Sequence, residues 1–144
     1  MADILTRANY APALAAFLRT QAMSIFEWGE RDCGLIMADW VAASGRPDPA
    51  AAIRGLYNSA ESCLAVTGAP DYRTAISDIA DGAGLTRITD PWDGDIGVVD
   101  VINVGPMGAI MTSGSWAFRT MRGITWARIA PGRLLTAWEV IPHA

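Results

Sequence analysis

The stretch WGERDCGLIMADWV, residues 28–41, decides how this chain can fold. Asp32 is placed to cap a helix, and apolar residues follow it at helical spacing until Gly45 ends the pattern. These apolar positions are Cys33, Ile36, Met37, Trp40 and Val41. The stretch therefore predicts a buried helix that carries Cys33 in its first turn.

Helical patterns continue on both sides of this stretch. Upstream, an apolar stripe with the spacing of a helix runs towards Met23. Downstream, Asp48 and Pro49 are typical of the start of a short helix, which is expected to end near Gly55. Two weaker helical candidates follow, at residues 59–66 and 72–83. The first half of the chain is therefore predicted to be helical.

The second half of the chain changes to a pattern typical of strands. The turn-rich segment DPWDGD leads into IGVVDVINV, residues 96–104, which is a β-branched run. Four more apolar segments follow between turn residues: MGAIMT, WAFRTM, ITWARI and LLTAWEVI. Helices followed by hairpin-linked strands predict an α+β fold, with N-terminal helices packed on a C-terminal antiparallel sheet. No linker or repeat interrupts the pattern, so a single domain is expected over residues 1–144.

Composition narrows the classes of function. The net charge is −4 and all eleven basic residues are arginine, so the chain lacks the basic surface expected of a nucleic-acid-binding protein. The N-terminus has no apolar run typical of a signal peptide or membrane span, so the protein is expected to be made and kept in the cytoplasm. Cys33 and Cys63 are the only cysteines and His143 the only histidine. Neither a structural disulfide nor a zinc site of His and Cys is expected, and no cofactor is predicted.

Cys33 has the most distinctive chemical setting in the sequence. In the first turn of a helix, unpaired N–H groups favour the thiolate, and Arg31 would add to that effect. Asp32 would oppose it unless its carboxylate is engaged in capping. The alternative interpretation is that Cys33 is a small core residue, packed beside Ile36 and Met37.

The wider pattern resembles the NlpC-type peptidoglycan endopeptidases, a family of papain-like cysteine peptidases. WGERDCGLIMADWV is similar to the nucleophile segment of that family, and the Gly-Asp step of WDGDIGVVDV to its turn into the first long strand. The resemblance covers roughly residues 26–120 and implies a papain-like fold with Cys33 at the nucleophile position. Within PMGAIMTSGSWAFRT, it implies that Met107 occupies the position of the catalytic histidine and Arg119 that of the group orienting it.

The side chains of Met107 and Arg119, at the positions of the histidine and its orienting group, cannot transfer protons. A thioether does not titrate near neutral pH, and a guanidinium stays protonated. Whether Met107 faces Cys33 depends on strand register, because a shift by one residue moves a side chain to the other face. His143, beyond the last predicted strand, is a poor substitute for the missing base. Asp39 is expected to pair with an arginine such as Arg54.

A narrower resemblance concerns WGERDC, the Ala38-Asp39 step and the segment GRPDPAAAIRGLYNS. Together these look like a group of small proteins encoded in phage and prophage tail modules, which usually also lack the histidine. In the last segment, Arg46, Arg54 and Tyr57 either hold a carboxylate or lock the loop, and turn-forming steps favour the second interpretation.

This resemblance implies an inactive relative of a cell-wall peptidase that serves as a structural protein of the virion. It is expected at the tail tip, associated with hub or baseplate, and is made in the host cytoplasm. Its expected partners are other tail proteins and, as a further possibility, peptidoglycan. The alternative function is an active, tail-associated endopeptidase that cuts peptidoglycan with Cys33. A third hypothesis is a small cytoplasmic regulator or an immunity-type binder.

Overall fold

The computed structural model describes residues 3–143, which form four helices and six strands. The helices are α1 (Tyr10–Ala22), α2 (Leu35–Ala43), α3 (Ala60–Thr67) and α4 (Tyr72–Gly82). The strands are β1 (Arg87–Ile88), β2 (Ile96–Val101), β3 (Gly105–Thr112), β4 (Ser115–Thr120), β5 (Gly123–Ala127) and β6 (Leu134–Trp138). None of these helices is both long enough and apolar enough to cross a membrane.

The six strands form one sheet in the order β1-β6-β2-β3-β4-β5, and every neighbouring pair is antiparallel. Strands β2 to β5 follow one another as hairpins, whereas β6 returns to lie between β1 and β2. The predicted α+β class with an antiparallel sheet is confirmed. Val98 lies opposite Gly108, and Ile110 lies opposite Ala117, so these four residues share the face that the helices cover.

The main core lies between that face and the helices, with α2 at its centre. Trp40 of α2 is fully buried and donates its indole N–H to the carbonyl of Gly94 at 2.7 Å. Its ring also packs against Phe17 of α1, with ring centroids 5.4 Å apart. The predicted burial of this helix is confirmed. A smaller cluster covers the other face of the sheet, built on Val99, Ala109, Trp116 and Phe118.

Two local predictions are wrong. First, α2 begins at Leu35, so Cys33 lies in the turn before the helix and not in its first turn. Second, residues 48–55 form turns in place of a short helix, because Asp48 accepts hydrogen bonds from both Ala50 N–H and the Arg54 guanidinium. Local side-chain bonds of this kind compete with helix formation.

The β-branched run of residues 96–104 holds more than one element. Strand β2 ends at Val101, and the chain then turns at Asn103. Asn103 adopts a φ of 64°, a left-handed conformation that asparagine tolerates better than most residues. The β-branched run therefore includes a hairpin turn as well as a strand.

Candidate functional site

The carboxylate of Asp32 organises the turn before α2. Its Oδ1 accepts the N–H groups of Gly34 and Leu35, at 3.0 and 2.9 Å. Its Oδ2 accepts the N–H of Gly29 at 3.0 Å and the hydroxyl of Tyr57 at 2.6 Å. Asp32 is 1% exposed. The N-cap residue of α2 is Gly34, so the prediction of Asp32 at that position is wrong by two residues. The Asp32 carboxylate still binds the N–H groups at the start of the helix and is fully engaged in holding the loop.

Cys33 is held in this turn with its Sγ 3.1 Å from the hydroxyl of Tyr72. Burial raises the pKa of the Cys33 thiol to about 11; the Tyr72 hydrogen bond lowers that pKa, and the charge of Asp32 raises it. The thiol is therefore protonated at neutral pH, and the predicted stabilisation of a thiolate is wrong. The main physical reason is burial of the sulfur. In addition, the N–H groups of Gly34 and Leu35 bind Asp32 and are not free to bind the sulfur.

Tyr72, Tyr57 and Cys63, three further titratable groups near Cys33, are also held in their neutral forms. Burial raises the pKa of Tyr72 well above its ordinary value, and the neighbouring Cys33 raises it further. Burial and the hydrogen bond to Asp32 raise the pKa of Tyr57. Burial likewise raises the pKa of Cys63. None of these three side chains is suited to remove a proton from Cys33 near neutral pH.

Strand β3 approaches the Cys33 turn at Gly108, which has no side chain. A Cβ at that position would lie 2.2 Å from Cε of Met37 and 2.9 Å from the carbonyl oxygen of Cys33. Both separations are far below van der Waals contact. Met37 therefore fills the space in which a side chain on β3 would have to stand to face Cys33.

Met107, at the histidine position implied by the resemblance, lies on the opposite face of the sheet. Successive residues of a strand point to opposite faces, so Met107 points away from the side that Gly108 presents to Met37. It packs against the cluster of Val99, Ala109, Trp116 and Phe118. The sheet thus separates Met107 from Cys33.

Arg119, at the implied orienting position, lies on the helix-covered face and is fully buried. Its guanidinium donates to the carbonyls of Gln21 and Ser24, at the C-terminal end of α1. Carbonyls at a helix C-terminus carry partial negative charge and attract cations. Burial lowers the pKa of Arg119, and the charge of Arg31 lowers it further. These contacts give Arg119 the role of fixing the end of α1 on the sheet.

His143 is bound to Asp95 and not to Cys33. Its Nε2 lies 2.5 Å from Oδ2 of Asp95, and its ring stacks on Trp92 with centroids 4.0 Å apart. Asp95 is fully buried and also accepts the N–H groups of Trp92 and Val140. The histidine therefore fastens the C-terminal segment to the turn before β2.

The GRPDPAAAIRGLYNS segment locks onto α2 and the turn before it. Arg54 donates to Asp39 at 2.6 Å and to Asp48 at 2.7 Å. Tyr57 adds its hydrogen bond to Asp32. The prediction that Asp39 pairs with Arg54 is confirmed, and so is the interpretation of this segment as a locked loop. Arg46 contributes by donating to the carbonyl of Val140 at 2.9 Å.

An apolar cavity of about 50 Å³ lies next to this site, between α2, α3 and α4. No charged side chain lines it, and its walls include Leu35, Ile53, Cys63, Tyr72 and Ile76. Among residues 3–143, no three His, Cys, Asp or Glu side chains come together as a group suited to hold a metal ion. The role of Tyr72 beside Cys33 has no signal in the sequence, since this tyrosine is remote from the turn along the chain. The sequence indicates that Tyr57 locks its loop but does not identify Asp32 as its partner.

The family described as Domain of unknown function (DUF6950) matches residues 6–140. That range includes the Cys33 turn and the residues that hold it in place, Asp32, Tyr57 and Tyr72. No curated protein and no solved structure matches this chain.

Proposed function

This chain belongs to the DUF6950 family, a domain of unknown function, and we propose that it is a structural protein of a phage tail tip. In this proposal the fold is papain-like, of the NlpC type, and keeps the nucleophile position while lacking catalytic activity. The observation that carries the proposed inactivity is the close approach of Gly108 to Met37 and Cys33.

A cysteine peptidase needs a base within hydrogen-bond reach of its nucleophile. At Gly108, the position of β3 that lies against Cys33, a side chain would meet the carbonyl oxygen of Cys33 at 2.9 Å and the terminal methyl group of Met37 at 2.2 Å, so a base has no room there unless Met37 moves. The thiol does not compensate by ionising on its own. With a pKa of about 11, roughly one thiol in ten thousand is ionised at pH 7.

The tail-tip setting is supported by the resemblance of three segments to tail-module proteins, and by the use that the fold makes of them. Their polar side chains bind one another: Asp32 binds Tyr57, and Arg54 binds Asp39. Residues engaged in this way maintain the shape of the domain and leave no free group for chemistry. That is the pattern expected of a scaffold kept for assembly with other tail proteins.

The alternative function, an active peptidoglycan endopeptidase, requires a base from outside the chain. Such a group would have to reach Sγ of Cys33, which is only 9% exposed and already bonded to Tyr72. This function therefore needs both an additional subunit and movement of Tyr72, and we favour the structural function.

The experiment that tests inactivity follows alkylation of Cys33 by iodoacetamide between pH 6 and 11, in a Cys63→Ala background. Cys33→Ala in the same background is the blank. We expect slow reaction that accelerates only above about pH 10, and no release of soluble fragments from purified peptidoglycan. Peptidoglycan cleavage that disappears in Cys33→Ala would establish the endopeptidase instead.

The tail assignment has a separate test. Mass spectrometry of purified virions from the phage that encodes this chain should detect it, and immunogold labelling should place it at the tail tip. Virions that lack the chain would show the assignment to be wrong, whatever the reactivity of Cys33.

A further inference from the structure

Strand β5 is an edge strand without the usual protection against pairing. Its sequence GITWA contains no charged residue and no proline, and β4 is the only described strand that pairs with it. Thr125 and Trp126 are exposed, Trp126 to 51%. Alternate residues of an edge strand direct N–H and C=O groups outward, where another strand can bind them.

The opposite edge of the sheet is different. Strand β1 has only two residues, and one of them, Arg87, forms a 2.7 Å ion pair with Asp81. A short, charged strand is a common way to prevent unwanted pairing. The contrast makes β5 the available edge of this sheet.

We propose that β5 binds an extended segment of a partner protein, which adds to the sheet as a further strand and carries acidic residues at both ends. The charge of the partner follows from the flanks of β5. Arg122 precedes the strand and Arg128 follows it, and both are exposed. Neither forms an ion pair with any of residues 3–143. Two arginines at the ends of a neutral strand attract a segment with carboxylates at matching positions.

The same charges argue against a second copy of this chain as the occupant. Antiparallel pairing of two β5 strands about Thr125 would set Arg122 of each copy opposite Arg128 of the other. In-register parallel pairing would set each arginine opposite itself. Like charges directly opposite one another destabilise strand pairs, so both arrangements are disfavoured at both ends.

Apolar side chains beside the edge define the rest of the partner. Trp126 lies opposite Ala117, so it is on the helix-covered face. At the same end of the sheet, Met121 is 73% exposed in the β4–β5 turn and Met23 is 87% exposed at the end of α1. The segments that carry these two residues meet at Gly123, where the Cβ position lies 3.3 Å from the carbonyl oxygen of Ala22. The docked strand therefore presents apolar side chains at alternate positions.

This inference goes beyond the proposed function and holds whether or not Cys33 is reactive. It identifies binding by strand addition, in which main-chain hydrogen bonds provide affinity and the flanking charges provide specificity.

The test uses an acetylated, amidated peptide DVTVTVE and a matched peptide KVTVTVK, titrated into the isotopically labelled full chain. We expect the acidic peptide to shift the amide resonances of β5 and to protect its outward amides from hydrogen exchange. Arg122→Glu together with Arg128→Glu should weaken its binding by about fivefold or more and should favour the basic peptide. The control is Arg73→Glu, an exposed charge reversal in the first turn of α4. It removes a 3.0 Å hydrogen bond to the Leu135 carbonyl of β6, a strand that three others separate from β5.

Several outcomes would overturn the proposal. These are equal binding of the two peptides, no shift at β5 at millimolar peptide, and shifts confined to another surface. Dimerisation of the chain through β5, seen by sedimentation and abolished by Trp126→Glu, would identify a second copy as the occupant and would also overturn it. None of these outcomes bears on the alkylation or virion experiments above.

Discussion

The hydroxyl of Tyr57 donates a 2.6 Å hydrogen bond to Oδ2 of Asp32, a carboxylate that is 1% exposed. The bond joins the loop after α2 to the turn before it, and it holds the backbone that positions Cys33.

Tyr57→Phe should therefore destabilise the fold. It removes one of the donors to a buried carboxylate, and we expect a loss of about 1–3 kcal/mol in the free energy of unfolding. Urea denaturation followed by circular dichroism measures the change. Tyr10→Phe is the matched control, because it removes a hydroxyl that forms no side-chain hydrogen bond with the described residues. Equal, small effects of both changes would show that the Tyr57 bond is dispensable.

The Cys33 thiol should make stability depend on pH in the alkaline range. Its pKa in the folded protein is about 11, above the ordinary value of 9.0, so the unfolded chain loses this proton first as pH rises. The stabilisation is complete below pH 9 and is lost as pH rises towards 11. The wild type should therefore lose about 2–3 kcal/mol relative to Cys33→Ala over this range. If the free energy of unfolding changes with pH in the same way in the wild type and in Cys33→Ala, the Cys33 thiol is not held protonated by burial.

Removing the hydroxyl beside that thiol should shift its titration further. The hydrogen bond from Tyr72 lowers the pKa of Cys33, so Tyr72→Phe should raise that pKa. The thiolate absorbs near 240 nm, where tyrosinate absorbs too. The titration is therefore recorded in a Cys63→Ala background with and without Cys33→Ala, and the difference between the two follows Cys33. A lower midpoint in Tyr72→Phe would show that burial by the tyrosine outweighs its hydrogen bond.

The contact between β3 and α2 should tolerate no side chain at Gly108. Gly108→Ala places a methyl group against Met37 and the Cys33 carbonyl, and we expect a loss of about 1–3 kcal/mol from overpacking. Gly132→Ala is the control, because no atom lies within 4 Å of the added Cβ there. Met37→Ala combined with Gly108→Ala should be less harmful than the two separate losses added together.

The buried Asp95 should be essential for anchoring the C-terminal segment. Asp95→Ala leaves the N–H groups of Trp92 and Val140 and the ring of His143 without their acceptor, and should cost about 3 kcal/mol or more. Asp100→Ala, which breaks only the exposed ion pair with Arg133, should cost less than about 1 kcal/mol. Hydrogen exchange should show the Asp95 variant opening first around residues 138–143.

The α+β class could be predicted from sequence because burial periodicity is a local property, visible over short windows at α2 and β2. The pairing of Asp39 with Arg54 could also be predicted, since a carboxylate inside an apolar helix needs a partner.

The protonation state of Cys33 could not be predicted from the sequence. It depends on Tyr72, which is far away along the chain, and on Asp32, which accepts the N–H groups of the turn. The face of the sheet on which Met107 lies could not be predicted either. Strand register decides which face a residue occupies, and the residues around Gly108 are small or apolar on both faces.

The packing of Met37 into the space opposite Cys33 has an evolutionary consequence. A single substitution that introduced histidine at Gly108 would meet an occupied site, and a single reduction of Met37 would leave a void in the core. Each step alone yields a less stable protein without the benefit of activity. Two changes would have to arise together, so selection for stability by itself keeps a histidine out of the position of β3 that lies against Cys33.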